Sequence, residues 1–585
     1  MHHSLYLLFC VCSCLGLGCD REEPADDSGS MQVDVADLFV GQPTIRGNPI
    51  ERVPLVAIVD LESPVEVVPS LEISDGDRVW IQPWPVKPAT KHRVAVMGMR
   101  PNRSHTIRVR VDAADSVQEQ WSEPLFFQTP PLPDNFPPIS VVHAEPQRME
   151  PGVTFFATNI WKDSISILDY GYIVALDAEG QVVWFCETTD RIADMRILKN
   201  GHILYQHGNY RYAYEIDILG RDINRWVATN LTELPDSGSI PVGIDTTHHD
   251  ILELPNGNFL TLATVLKHFE EFPTSELDPE APWAAAHVVC DDIVEFNPRT
   301  GVIVKRFPLS SVLDNKRLGY MSLGSFWKDK YNDEEGNVIS RDWSHANGLT
   351  YLPDESALLI SFRHQDCVMK LDWKTHEIRW IFGNPEGWAD VWQQYMLKPV
   401  GELAWCYHQH APQWTPRGTL MLYDNGNYRA RPFQQPMQAY ENQSRVVEFR
   451  IDEEAMTVEQ VFEYSGGEDD PFYSPFYCEA DWLPNTQNIL VTDGGHVELS
   501  DGTPSDNVPG ERQWARIFEL TRDAQPERVF EIQIDSGMES PFGWSVYRAM
   551  RLPNLIDGFR IDPLAVDEPV PRFERDPHEK REVLH

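Results

Sequence analysis

Basic residues are scarce in this chain. Over 585 residues, 49 Lys+Arg face 90 Asp+Glu, a formal net charge of −41. Such a field repels phosphate backbones, and no basic patch offsets it, which excludes nucleic acid as a partner. Long apolar runs are missing too: none reaches the roughly 18–20 residues that a membrane-spanning helix needs. Cysteine is sparse, with nine in all. Outside the first 19 residues, Cys186, Cys290, Cys367, Cys406 and Cys478 stand far apart with no CxxC, so no structural zinc site reads from their spacing. They are expected to be buried free thiols, at least one being unpaired by arithmetic; one disulfide stays open. The apolar segments also lack the i, i+3, i+4 spacing of helices. What remains is 42% hydrophobic residues with 18 Trp, enough for a large core, and 45 Pro with 35 Gly, enough turns for many short strands.

The longest apolar run, Leu5 to Cys19 (LYLLFCVCSCLGLGC), opens the chain and then turns abruptly into DREEPADDSGS. It resembles a secretory signal of the lipoprotein type, with Cys19 as the lipidated residue, Cys14 as a competitor and a plain cleaved signal as the alternative. Residues 1–19 are accordingly expected to be a leader and 20–35 an acidic tether. The expected location is the periplasm or the membrane surface facing it or the exterior. Contact with membrane is expected only through that lipid.

Residues 36–132 show short alternating runs (VPLVAIVDL, VEVVPSLEI, HRVAVMGM, HTIRVRVDA, PLFFQT) between turn residues, the pattern of a small β-sandwich. The last of them resemble the closing strands of a fibronectin type III or Ig-like module. PPLPDNFPP (130–138) reads as a stiff linker. From there to about residue 562 two units alternate, six times each. One is an apolar run, a turn near Pro-Asn-Gly and a second run, as in HHDILELPNGNFLTL and HAPQWTPRGTLMLY. The other is a longer hairpin, as in DIVEFNPRTGVIVKRF and VVEFRIDEEAMTVEQVF. Two hairpins make a four-stranded blade, so 136–562 predicts a six-bladed β-propeller and the whole chain an all-β fold, with 563–585 a polar tail. The series opens with the second unit and closes with the first. Strands from both ends must therefore share a blade and close the ring.

In a propeller the first strand of each blade lines the central channel. His249 and His410 each stand six residues before the Pro of their turn, His345 eight before Pro353, Tyr547 six before Pro553 and Glu479 five before Pro484. Three blades therefore bring a histidine to one rim of the channel. Asn347 shares a strand face with His345. Aligning SFR, LYD and VTD places Arg363 near Asp424 and Asp493. The Asn-Gly at 425–426 reads as a turn. Three imidazoles are ordinary ligands for a transition metal. With a guanidinium among them they suit a tetrahedral oxyanion better, and no metal or cofactor is expected. His248 and His408 are near-duplicates of His249 and His410. The shared six-residue register favours the latter pair.

THHDILELPNGNFL, WSHANGLTYLPDESALLISFRHQD, HQHAPQWTPRGTLMLYDNGNYR and WSVYRAMRLPN together resemble the bacterial arylsulfotransferases over roughly 140–560. The resemblance implies the same architecture and transfer of a sulfuryl group from a phenolic sulfate ester to a phenol acceptor, without a nucleotide donor. It implies His410 as nucleophile, through a sulfohistidine, with His249, His345, Asn347 and Arg363 holding the sulfuryl oxygens. Loops 265–290 and 311–341 would shape the acceptor site. Two other readings stay open: a non-catalytic propeller scaffold that binds an anion, and a metal-dependent hydrolase or lyase built on the histidines. Homo-oligomers are also left open.

Overall fold

A computed structural model describes residues 37–562 except 116, 161–170, 189–190, 232–237, 333–338, 468–469, 507–511, 539 and 541–542. The expected leader with Cys19, the tether and the tail lie outside the described residues.

Six sheets of four or five strands form a ring, a six-bladed β-propeller. Numbered by their innermost strands, the blades begin at Ile192–Ile197, His248–Glu253, Ala346–Leu352, His410–Trp414, Glu479–Trp482 and Trp544–Leu552. Trp544–Leu552 comes from the C-terminal end and pairs with Val153–Ile160 from the N-terminal side, so blade 6 is built from both ends of the repeat series. A second closure was not legible in the sequence. Ile139–Ala144, before the first repeat, adds an outer strand to blade 5 against Arg528–Ile534. The chain thus clasps itself at the inner edge of one blade and the outer edge of its neighbour.

Before the ring, seven strands between Thr44 and Gln128 form one hydrogen-bonded network. The runs VPLVAIVDL and VEVVPSLEI, which read as separate strands, belong largely to one 18-residue strand, Ala57–Ser74. No glycine or Asn-Gly interrupts them, and the strand runs on through Ser63–Pro64, where its pairing with Ala89–Val96 breaks register. Its first half pairs with Thr44–Gly47 and Ala89–Val96, its second with Val79–Pro83 and Ser104–Ala113. The linker is packed rather than merely stiff. Phe136 lies 5.0 Å from the Tyr172 ring and 5.2 Å from that of Phe185, and Tyr172 Oη donates to Asn135 Oδ1 at 3.0 Å. The five described cysteines are buried free thiols.

Five of the six inner strands break register near their start: between Ile192 and Asp194, His248 and Ile251, Ala346 and Gly348, His410 and Gln413, and Val546 and Ala549. A bulge inserts an unpaired residue and re-aims its side chain. His249 (φ +56°) and Ala411 (φ +48°) lie within the irregular stretches and His345 (φ +45°) just before one, a costly conformation for residues with a Cβ. The strain gathers at one level of the channel.

Candidate active site

At that level His249, His345, His364, His408, His410 and Arg363 are all buried. The ring centroids of His249 and His345 are 4.9 Å apart, those of His345 and His364 4.5 Å, and those of His364 and His408 5.7 Å. Burial is the main force lowering the pKa of all five histidines; Arg363 and the neighbouring imidazoles add to it for His249, His345 and His410. His410 is brought down to about 3. Neutral imidazoles are the result at ordinary pH.

The tautomer of His410 follows from its neighbour. Asn425 Nδ2 donates to the carbonyls of Ser474 (2.8 Å) and Tyr477 (3.2 Å), which turns its Oδ1 toward His410. That oxygen can only accept, so His410 Nδ1, 2.7 Å away, carries the hydrogen and Nε2 keeps the lone pair. The Asn-Gly read as a turn therefore holds the central histidine. His410 pairs with Tyr423, and Asn425 stands two residues further along that side of the sheet, a signal that strand register alone offered.

His345 is fixed by Asp342, a residue the sequence reading missed. Its Nδ1 lies 2.5 Å from Asp342 Oδ2, and Trp327 Nε1 donates to Oδ1 of the same carboxylate at 3.1 Å. Burial raises Asp342 to about 6, which leaves it mostly ionised at neutral pH. A neutral His345 thus donates from Nδ1 and keeps its lone pair on Nε2. His249 Nδ1 lies 2.8 Å from Nδ1 of His248, whose Nε2 is 3.3 Å from Asp291.

Arg363 directly follows the second strand of blade 3. Its Nη1 donates to His364 Nε2 (2.8 Å) and its Nη2 to the Pro475 carbonyl (3.1 Å), while the buried Nε has no partner. The acids whose fields reach it are Asp342 and Asp506. Asp424 and Asp493, expected beside it, instead pair within their own blades with Arg445 (2.7 Å) and Arg516 (2.6 Å). Asn347 Nδ2 donates to the Gln409 carbonyl at 2.9 Å, so this residue grips the backbone between His408 and His410. His408 Nδ1 lies 3.3 Å from Asp366 Oδ1, whereas His410 is anchored by Asn425.

Beneath the histidines the channel is filled by charge. Arg548 Nη1 meets Asp194 (2.7 Å) and Asp250 (2.9 Å), its Nε meets Glu479 (2.9 Å), and Arg196 also pairs with Asp250. The bulge of blade 6 lies over Tyr547 and Arg548, which serve the two layers: Tyr547 sits 6.4 Å from His249, while Arg548 ties the blades together below.

Loops were expected over 265–290 and 311–341. Much of the first is strand instead, because Phe259–Phe272 and Ala284–Phe296 pair out to Phe272 and Ala284. From the second, Phe326 packs 5.0 Å from His345.

The sequence matches the profile of the arylsulfotransferase (ASST) family over residues 139–548. The chain belongs to that family. Arylsulfate sulfotransferase AssT of Escherichia coli O6:H1 is 26% identical over 390 residues, covering 58% of this chain and 60% of that protein. The protein of the same name from Lelliottia amnigena is 23% identical over 381 residues, covering 57% and 59%. The chain thus spans about three fifths of the length of these relatives. A luciferin-regenerating enzyme is similar among solved structures at 11% identity and a TM-score of 0.28, over 71% of this chain and 100% of that one. That likeness carries no argument.

Among the described residues, Asp342, His345 and His364 bring one potential metal-ligand atom each within 4.8 Å of one another. The Arg363 guanidinium bonded to His364 opposes a cation there and favours an anion.

Proposed function

We propose that the protein is an aryl-sulfate sulfotransferase that works by a ping-pong mechanism through a sulfohistidine at His410. One observation carries this reading. Asn425 ties up His410 Nδ1 and leaves the Nε2 lone pair of a neutral imidazole, within reach of the Arg363 charge.

In the first half-reaction the Nε2 lone pair attacks sulfur in line. The N–S bond forms and the S–O bond to the aryl group breaks, its electron pair leaving on the phenolate. Arg363 stabilises charge on the three oxygens that do not react, and a neutral His249 can add a ring N–H. Asn347 is assigned a positioning part through the Gln409 carbonyl. In the second half-reaction a phenol oxygen attacks sulfur, the N–S electron pair returns to Nε2, and the phenol proton goes to His345 Nε2. Asp342 then faces an imidazolium that it stabilises, as a carboxylate behind a general base does. By reversibility the same imidazolium protonates a poorly leaving phenolate in the first half-reaction.

The test is a chromogenic aryl sulfate offered to purified protein with and without a phenol. Release of the chromophore that depends on the phenol supports transfer. Release without it makes the protein a sulfatase, and no release with retained sulfate binding makes it a scaffold. The Asp342–His345–His364 grouping is what a rival reading, a metalloenzyme, would rest on, against the Arg363 charge beside it. Loss of turnover on chelation, restored by metal, would establish that rival instead.

A further inference from the structure

Outside the histidine pocket, a cleft of about 230 Å³ opens where four connections meet. They are the tip of the long hairpin of blade 2 (273–283), the turn 316–318, residues 386–387 and residues 431–433. Its lining combines two features that are uncommon on so acidic a chain. Two aromatic side chains are left open, Trp283 at 45% and Phe433 at 49% exposure. Three cations, Lys316, Arg317 and Arg431, line the same space.

The acids of the cleft are largely spoken for. Glu386 pairs with Arg431, and Asp278 accepts from the Glu280 backbone N–H at 3.0 Å. Among the described residues no carboxylate pairs with Lys316 or Arg317. Lys316 Nζ stands 5.7 Å from the Trp283 ring centroid. Arg317 is buried, stacks 4.5 Å from the Trp388 ring and leaves Nε without a partner. The free ammonium of Lys316 beside exposed rings, with two further guanidinium groups lining the same space, is the complement of a flat ligand with one negative charge.

We propose that this cleft binds an aromatic anion of one or two rings, an aryl sulfate, sulfonate or carboxylate, as a site separate from the histidine pocket. The cleft is joined to that pocket by its floor. Arg317 Nη1 donates to the Gln365 carbonyl (2.7 Å) and to Gln365 Oε1 (3.1 Å), on the turn that carries Arg363 and His364. Two residues on, Gly319 lies so close to His364 that a Cβ there would stand 1.9 Å from its carbonyl oxygen. An occupant of the cleft therefore rests one layer of chain from the catalytic turn. The proposal stands on the cleft itself and does not depend on sulfuryl transfer.

The probe is 2-naphthalenesulfonate, whose carbon–sulfur bond offers no ester to transfer, titrated calorimetrically into the full-length protein. Wild type is expected to bind more than one equivalent. Lys316→Glu and Trp283→Ala should each weaken one class of site about tenfold, the scale of losing a cation–aromatic cluster, and leave aryl-sulfate turnover at low probe concentration unchanged. Both residues are surface-exposed, and neither substitution removes an ion pair on which folding depends. Binding confined to one equivalent that Arg363→Ala abolishes, or equal affinities in wild type and both cleft variants, overturns the proposal. A failed transferase assay with the cleft site intact would refute the reading of function and leave this one standing.

Discussion

Asn425 accepts a 2.7 Å hydrogen bond from His410 Nδ1 while its own amide is pinned by the carbonyls of Ser474 and Tyr477. The bond decides which imidazole nitrogen is available to attack. In the proposed mechanism it also offers a partner for the positive charge that the ring would acquire once Nε2 is bonded to sulfur. Asn425 touches no substrate in this scheme and acts as a positioning residue.

Replacing Asn425 by Ala is expected to slow turnover about 10- to 100-fold, the usual cost of losing the partner that orients a reactive histidine. A merely structural role would give the same loss, so the diagnostic variant is Asn425→Asp. A carboxylate at this distance favours the imidazolium and raises the His410 pKa. The acid limb of the donor half-reaction should then move to higher pH by about one unit or more. An unmoved limb in the folded variant would show that Asn425 does not set the state of His410.

His410→Ala should abolish transfer and leave the protein folded, because the side chain bonds Asn425 and belongs to no blade's apolar core. After a pulse of donor alone, intact-mass spectrometry of wild type should show one added sulfuryl group, acid-labile as an N-sulfonated imidazole is. If the variant still gains the adduct and turns over, His408 or His249 is the nucleophile.

The repeat pattern carried most of the fold because a blade is a local object: two hairpins with alternating residues and Pro-Asn-Gly turns declare themselves within forty or so residues. The order of the units was enough to reveal that the two chain ends share a blade, but not that Trp544–Leu552 takes Val153–Ile160 as its partner instead of forming a hairpin with the residues after it. Ile139–Ala144 gave no such signal, since a lone outer strand has no partner hairpin in sequence. The site divides the same way. His249, His345 and His410 were legible because they occupy equivalent places in successive repeats. Asp342 was not, because its bond to His345 spans the connection into blade 3 and breaks the repeat. Nor could spacing reveal the bulges, which decide that Asp250 turns down to Arg548 while His249 beside it packs 4.9 Å from His345.

Arg363→Ala should cost about 2–4 kcal/mol of transition-state stabilisation, as the loss of one preorganised donor does, and retain measurable turnover. Arg363→Lys should not restore it. A single ammonium cannot reach His364 Nε2 and the Pro475 carbonyl and still present a further donor to the anion. The comparison of kcat/KM for the three proteins with one aryl sulfate checks this.

Arg548→Met should destabilise the fold by about 3–5 kcal/mol, the penalty for stranding buried charge, with little direct effect on the chemistry above. Asp194 and Asp250 are left with Arg196 alone, and Glu479, raised to about 8 by burial, loses the guanidinium 2.9 Å away. Denaturant midpoints give the cost. Turnover per folded molecule separates it from any effect on catalysis.

Stability should also fall with acid in a way traceable to the pocket. Buried neutral histidines stay unprotonated in the folded chain at a pH where the unfolded chain has already taken up their protons, and His410 does so down to about 3. Between that value and the ordinary pKa of about 6.5 the unfolded state binds more protons, so unfolding becomes easier as pH drops. His249, His345, His364 and His408 shift in the same direction and steepen the trend. His410→Gln removes one proton from the difference. Its plot of unfolding free energy against pH should be shallower than wild type by about 1.4 kcal/mol per pH unit between roughly pH 4 and 5.5. Parallel plots would mean that His410 is already protonated in the folded protein over that range. The lone pair proposed to attack sulfur would then be missing over that acidic range as well.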